Sequence, residues 1–277
     1  MTLEQQWKRD DVVEGLKSKD RRLDTLCPPL RSYLKPGMRV LDVGCGPGPI
    51  TLDVAEAVYP GEVVGVDSSE TSIAQARIAA KAAQCPNVSF QVEDTYTIDF
   101  ADETFDLVYS TNLFVWLREP VQALVEQRRV TKRGSWVFAH LADYGNITFY
   151  PPCPALDQYL AALAHFWDLG DSQAHIDSHQ ARRAIELLSQ AGFSEIQIEG
   201  WANTVYRSKE GFADIHPDFQ YVLSMEDGVF TDLNRRLIAT GLLNGQTLLE
   251  AQKQLDHWNN HPYAFYTQTY FLAAGRA

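Results

Sequence analysis

The chain lacks any apolar run near the ~18 residues that a membrane-crossing helix needs, so no transmembrane segment is expected. It has only four cysteines, Cys27, Cys45, Cys85 and Cys153, with no CxxC pair and no metal-ligand spacing to histidine. A disulfide framework and a structural zinc site are thereby excluded, no metal is expected, and the thiols are expected to be reduced. Positive charge is also scarce. Lys and Arg number 24 against 36 Asp and Glu, a net charge of −12. That field repels a phosphate backbone, so nucleic acid is not an expected partner. Residues 1–22 are polar and charged, unlike a secretory signal or an Arg/Ser-rich transit peptide, and a cytoplasmic protein is expected.

What is present is an ordinary globular composition, 277 residues of which 45% are apolar and 22% charged. At ~150 residues per domain this is one large domain or two small ones. No internal repeat is visible. Residues 3–34 read as helical and end at Leu34-Lys35-Pro36-Gly37, where Pro and Gly open a turn. Short β-branched runs follow at 39–43, 62–66, 88–92, 105–109 and 135–141, alternating with helical stretches at 49–58, 69–83 and 121–130. That alternation predicts an α/β fold, a doubly wound, mostly parallel sheet whose ligands bind at the carboxyl ends of the strands. The second half predicts helices at 156–167 and 179–192, a strand at 195–201, helices at 232–239 and 246–259, and a last strand at 264–273. The helical stretch between the last two strands is too long for a hairpin loop and reads as a lid or binding segment.

The first strand runs into Asp42-Val43-Gly44-Cys45-Gly46-Pro47-Gly48. Glycine permits a tight turn of positive φ and close backbone approach, and the helix behind it presents amides and a positive dipole end to an anion. The spacing is G-x-G-x-G. A dinucleotide fingerprint is G-x-G-x-x-G, and its third glycine would fall on Pro49. Asp42, just before the turn, repels a pyrophosphate and suits an ammonium group. Asp67 ends the second strand about 20 residues past the glycines, where a carboxylate accepts from two ribose hydroxyls. Asp94 and Thr95 follow the third strand, placed for an adenine amine, and Asn112 follows the fourth, where the ligand's centre falls. With Ser68 beside Asp67, these groups form a site for S-adenosylmethionine, with S-adenosylhomocysteine as the product of methyl transfer. Cys45 reads as a small packing residue whose backbone faces that ligand.

The sequence resembles the class I S-adenosylmethionine-dependent methyltransferases. The resemblance is carried by Val40–Gly48 (VLDVGCGPG), Val63–Ser69 (VVGVDSS), Val92–Thr95 (VEDT), Phe105–Leu117 (FDLVYSTNLFVWL) and Arg128–Phe138 (RRVTKRGSWVF). The tail from His261 to Arg276 is similar to the ending of the ubiquinone/menaquinone-biosynthesis-like branch, which includes many natural-product, secondary-metabolism enzymes. The resemblance implies a seven-stranded sheet of order 3-2-1-4-5-7-6 with strand 7 antiparallel, in a single methyltransferase domain over 1–277. Within it, 1–34 would be an N-terminal helical lid, 35–141 the cofactor-binding core, and 142–178 and 203–260 helical cap insertions that bind the acceptor. The sequence departs from the family at Asn112–Trp116, where many members carry histidines, so a base from that position is not available.

The expected reaction is methyl transfer to a small hydrophobic or aromatic metabolite, at oxygen, nitrogen, sulfur or carbon. Positioning and exclusion of water would supply most of the acceleration. His140 and Tyr144 are the candidate catalytic side chains. Trp116, Tyr150, Trp167 and Tyr206 are the candidates for an apolar acceptor pocket, set against the plainer reading that the aromatics of the second half only pack a cap on the sheet. An alternative keeps the cofactor and uses its sulfonium charge electrostatically in a cyclisation or rearrangement. A non-catalytic binding protein is a third reading. Monomer and homodimer are both compatible with the sequence.

Overall fold

A computed structural model describes residues 22–168, 179–206 and 229–277. Seven strands, β1 (Arg39–Val43), β2 (Glu62–Asp67), β3 (Val88–Val92), β4 (Phe105–Thr111), β5 (Thr131–Tyr150), β6 (Ser194–Tyr206) and β7 (Phe265–Arg276), form one sheet of order β3-β2-β1-β4-β5-β7-β6. The pairs β1–β2, β1–β4, β2–β3 and β4–β5 are parallel, and β7 is antiparallel. The order expected from the resemblance is the order observed. The helices are α1 (Leu23–Leu26), α2 (Pro49–Val58), α3 (Glu70–Ala82), α4 (Pro120–Val130), α5 (Pro154–Asp168), α6 (Ala184–Gln190), α7 (Val229–Ala239) and α8 (Gly245–Asn260).

Differences from the expected elements have local causes. In place of the end of one long helix stand α1 and a 3-10 turn at Pro28–Tyr33, because Pro28 and Pro29 supply no backbone donor. β5 runs nine residues past the predicted end at Leu141, without a glycine or proline stop until Gly145 and Pro151. The expected helix over 69–83 begins where Ser69 accepts from the Ser72 amide at 3.2 Å, an N-cap. Residues 1–21 of the expected lid, residues 169–178 and 207–228 of the expected cap insertions and the side chain of Trp167 lie outside the described residues.

The chain divides into two compact units. Of the described residues, one unit comprises 22–142, 180–201 and 270–277. Its sheet carries an apolar cluster on each face, because successive strand residues point to opposite sides. Leu41, Val43, Val64, Val66, Val108, Val137 and Ala139 pack with Leu124, Leu187 and Leu188. Val40, Val63, Leu107, Tyr109 and Phe138 pack with Ile50, Val54 and the α1 residues Leu23 and Leu26. Asp53 on α2 receives the Leu23 amide at 2.9 Å and pairs with Arg22. The segment after β3 is clamped to α4. Arg129 donates to the carbonyls of Ile98 and Phe100, each at 2.8 Å, and pairs with Asp102 and Glu126, while the Ile98 amide donates to Glu126 at 2.8 Å. The other unit comprises, of the described residues, 143–168, 179, 202–206 and 229–269. Its core is Leu156, Tyr159, Leu163 and Phe166 of α5 against Leu237 of α7 and Leu248, Ala251, Leu255 and Trp258 of α8, an i, i+3/i+4 stripe on each helix. Among the described residues no helix is long and apolar enough to cross a membrane.

Gly65 in β2 marks a close approach. A Cβ there would lie 2.6 Å from the Phe90 ring and 3.0 Å from Cys45 Sγ. Gly65→Ala is therefore expected to destabilise the protein by ~1–3 kcal/mol, the range for core overpacking. The loss should be partly restored by a second change, Phe90→Leu. Denaturant unfolding of the two variants measures it, and an unchanged midpoint in Gly65→Ala would contradict the packing described.

Candidate functional site

The strand order reverses between β1 and β4, from which the chain winds outward in opposite directions. Ligands of open α/β sheets bind in the crevice outside the carboxyl ends at such a point. Asp42 and Tyr109 sit opposite each other there, as register partners of β1 and β4. Both are buried, and both lie on the sheet face covered by α2. Asp42 Oδ2 accepts from the Tyr109 hydroxyl at 2.6 Å and from Thr51 Oγ1 of α2 at 2.7 Å. Asp42 Oδ1 is buried with no hydrogen-bond partner among the described residues. Burial pushes this carboxyl up to about 7, against the two hydroxyl donors that lower it, and the charge of Asp67 adds to the rise. Neither Tyr109 nor Thr51 stood out in the sequence. The available signal was a phenol at the centre of an otherwise apolar strand.

The glycine turn is built as its residue types require. Gly44, Gly46 and Gly48 have φ of 76°, 55° and 84°, in the left-handed region that side chains disfavour. The amides of Gly44 and Cys45 both donate to Val66 O, at 2.8 and 3.0 Å, and Gly48 donates to Cys45 O at 3.1 Å. The Gly46 amide donates to Asp67 Oδ2 at 3.1 Å, and the Ser69 amide to Asp67 Oδ1 at 2.8 Å. Asp67 thus ties the glycine turn to the turn after β2 while remaining half-buried. These bonds spend most of the turn's own amides on the fold. Pro47 and Pro49 have no N–H, so the first-turn amides left for an anion are those of Ile50 and Thr51. Burial pushes the Cys45 thiol well above its ordinary range and Cys27 to about 12, which suits packing rather than redox roles.

The other strand ends carry further unused oxygens. Asp94 is exposed and accepts from the Tyr96 amide at 2.9 Å, and Thr95 Oγ1 beside it is buried without a partner. Asn112 sits at φ 51° and donates its amide to His140 O at 2.9 Å. Asn112 Oδ1 and Ser110 Oγ are likewise buried without partners. Ser68 is exposed at the end of β2. Buried polar atoms are ordinarily paired, so a series of orphans at the ends of β1, β3 and β4 is the pattern of a polar ligand's cradle. The set contains acceptors for an ammonium, hydroxyls and an amine, and the residues present fit S-adenosylmethionine. Among the described residues no cluster of three or more His, Cys, Asp or Glu is arranged to hold a metal ion.

The remaining expected residues are dispersed. His140 is fully buried, its ring 5.3 Å from Tyr270 at 9° and 5.6 Å from Trp201 at 27°, within a stack of aromatic rings. Tyr144 is half-buried on β5, in the unit that does not contain Asp42. Trp116 is 41% exposed in a 3-10 turn after β4. Tyr150 stacks on Phe265 at 5.6 Å, and Tyr206 at the end of β6 is 67% exposed. Phe149 and Phe166 belong to the helical core, so the plainer packing reading holds for them.

The buried carboxyl predicts a pH dependence of stability. Folded Asp42 keeps its proton to about pH 7, whereas the unfolded chain releases it near 3.8. The folded state then binds more protons across that window, so its stability falls as pH rises from about 4 to 7 and stays lower above. Asp42→Asn should remove this fall, melting above the unmodified protein at pH 8 and close to it at pH 4. Thermal unfolding across pH checks this, and a fall of equal size in the variant would assign it to other groups.

A family model described as a methyltransferase domain matches residues 34–166. Over 137 residues the chain is 39% identical to an uncharacterized methyltransferase of Schizosaccharomyces pombe, covering 47% of this chain and 49% of that one. Over 166 residues it is 31% identical to phosphoethanolamine N-methyltransferase 3 of Arabidopsis thaliana, covering 60% of this chain and 31% of that one. The chain thus spans half or less of the length of these relatives. Its fold is similar to that of a SAM-dependent methyltransferase from Aquifex aeolicus, with a TM-score of 0.52 at 21% identity over 68% of this chain and 89% of that one. The family match over residues 34–166 takes in β1 to β5 and the glycine turn between β1 and α2.

Proposed function

We propose that the protein binds S-adenosylmethionine at the crevice between β1 and β4 and transfers its methyl group to a small-molecule acceptor. The observation that carries this reading is the set of buried, unpartnered oxygens, Asp42 Oδ1, Thr95 Oγ1, Ser110 Oγ and Asn112 Oδ1, around a glycine turn pinned by Asp67. Bound there, the cofactor supplies an electrophilic methyl group on a cationic sulfur. In this reading Asp42 receives the ammonium group, and Asp67 takes the ribose hydroxyls with Ser68 beside it. Asp94 and Thr95 meet the adenine amine, on a segment that Arg129 and Glu126 hold in place. Gly44, Cys45, Gly46 and Gly48 let the backbone approach closely. Asn112 and Ser110 border the centre of the ligand.

The protein's contribution to rate is then orientation, holding the acceptor atom in line with methyl and sulfur while water is kept out. A general base is needed only for an acceptor of high pKa. His140, closed into its ring stack, supports the shape of the site rather than direct proton transfer, and Tyr144 stays the candidate for a proton-accepting role. Trp116, exposed just after the β4 end, is the aromatic we assign to the acceptor. The acceptor class we favour is a small hydrophobic or aromatic metabolite. The plant relative's name adds phosphoethanolamine as an amine to assay beside it. The tail over His261–Arg276, which contains the whole of β7, supports the ubiquinone-biosynthesis-like branch, and the four free cysteines fit a reducing, cytoplasmic setting.

Asp67→Asn should weaken S-adenosylhomocysteine binding by ~1–3 kcal/mol, the scale of hydrogen bonds to a charged acceptor, while keeping one acceptor for the turn. Calorimetric titration reads this, and unchanged affinity would contradict the ribose role. Incubation with S-adenosylmethionine and a panel of phenols, hydroxylated aromatics and phosphoethanolamine should yield S-adenosylhomocysteine in step with acceptor consumed. An acceptor that is converted with none formed would point to cyclisation or rearrangement instead.

A further inference from the structure

Asp42 is held in an unusual way for a group assigned to meet a cation. Its two hydroxyl neighbours both donate to one oxygen, Oδ2, and come from different elements: Tyr109 from β4, 67 positions along the chain, and Thr51 from α2. The other oxygen, Oδ1, has no partner among the described residues and is buried. The titratable groups that act on it are Asp67 from the end of β2, Tyr109 and Cys45 of the glycine turn. None of these is a cation. A buried carboxylate facing a second carboxylate without a positive partner holds its proton more tightly. Burial also keeps Tyr109 a neutral phenol, so it remains a donor to Asp42 throughout the ordinary pH range.

We propose that Tyr109 and Thr51 are positioning residues that present Asp42 Oδ1 to the cofactor's ammonium group, and that cofactor binding releases the proton of Asp42. This rests on the cofactor reading above. In the exchange the O–H bond at Oδ1 breaks and its proton passes to solvent. The resulting carboxylate pairs with the incoming ammonium, which keeps all its protons. Oδ2 keeps both hydroxyl donors before and after, so the side chain need not turn. The two donors stabilise the carboxylate, which favours binding, and they fix the direction of the oxygen that must be met. A cofactor site that lacked them would need a higher pH to reach the same affinity. The two hydroxyls are thereby the groups that tune affinity near neutral pH.

The test is calorimetric titration of the full chain with S-adenosylhomocysteine, which carries the same amino-acid end, from pH 6 to pH 8, where that end stays an ammonium, in buffers of different ionisation enthalpy. The expected result is affinity that rises with pH and then levels off, approaching a tenfold change per unit below the midpoint, as for a single linked proton. Nearly one proton per bound ligand should be released at pH 6 and far less at pH 8. Tyr109→Phe should move the midpoint to higher pH, costing more affinity at pH 6 than at pH 8. Thr51→Val should do the same and serves if Tyr109→Phe does not fold. Asp42→Asn should bind weakly and without the Asp42-linked pH dependence. Equal affinity from pH 6 to 8 with no proton released would overturn the coupling and leave the cofactor reading standing. A uniform loss at every pH in both hydroxyl variants would show a merely structural role for Tyr109 and Thr51. Absence of binding at every pH in the unmodified chain would overturn both readings.

Discussion

A carboxylate buried between two hydroxyls at the reversal of the sheet is the constraint on which the candidate site turns. Asp42 can exist there only because β4 lies beside β1 and brings Tyr109 opposite it, and because α2 returns over the same face with Thr51. Removing a carboxylate from water is costly, and two hydrogen bonds to one oxygen offset only part of that cost. The remainder stays in the ligand-free protein as an unpartnered Oδ1. A fold that retains such a group carries a preference for whatever completes it. Once Asp42 gives up its proton, Oδ1 asks for a donor, and the charge of Asp67 nearby asks for a positive one.

The rest of the cofactor unit acts to keep that arrangement in register. Asp67 joins the glycine turn to the turn after β2 through two backbone amides, so two loops are held by one side chain. Arg129 and Glu126 do the equivalent work for the segment that carries Asp94 and Thr95, using main-chain carbonyls and an amide as well as charge. Such contacts bind backbone to side chain and resist rearrangement more than an exposed ion pair, whose contribution is small. The glycines complete this by allowing positive φ where the chain reverses, while the close approach at Gly65 sets Phe90 against the same turn.

Much of this was legible in the sequence, and the reason is period and position. β-branched runs at a regular pitch announced the parallel strands. Asp42, Asp67, Asp94 and Asn112 could be placed because each sits at or just beyond the end of a predicted strand, where an α/β sheet puts its ligands. What the sequence concealed depends on contacts distant along the chain. Tyr109 reads as one more buried aromatic until the register sets it against Asp42. His140 reads equally as a base or as core, and its place beside Tyr270 and Trp201 follows from strands 60 and 130 residues later. The aromatics of the second half could not be sorted at all from composition: Phe149 and Phe166 are core, whereas Tyr206 is exposed. Nor could the sequence show that the glycine turn's own amides are taken up by Val66 O and Asp67, since these acceptors belong to the neighbouring strand.

The most direct measurement is a crystal structure of the protein with S-adenosylhomocysteine. The account predicts the ligand across the carboxyl ends of β1, β2 and β4, its ammonium nitrogen within hydrogen-bond distance of Asp42 Oδ1 and its ribose hydroxyls on Asp67. A ligand bound elsewhere on the chain, or one in the crevice whose ammonium group faces away from Asp42, would contradict it.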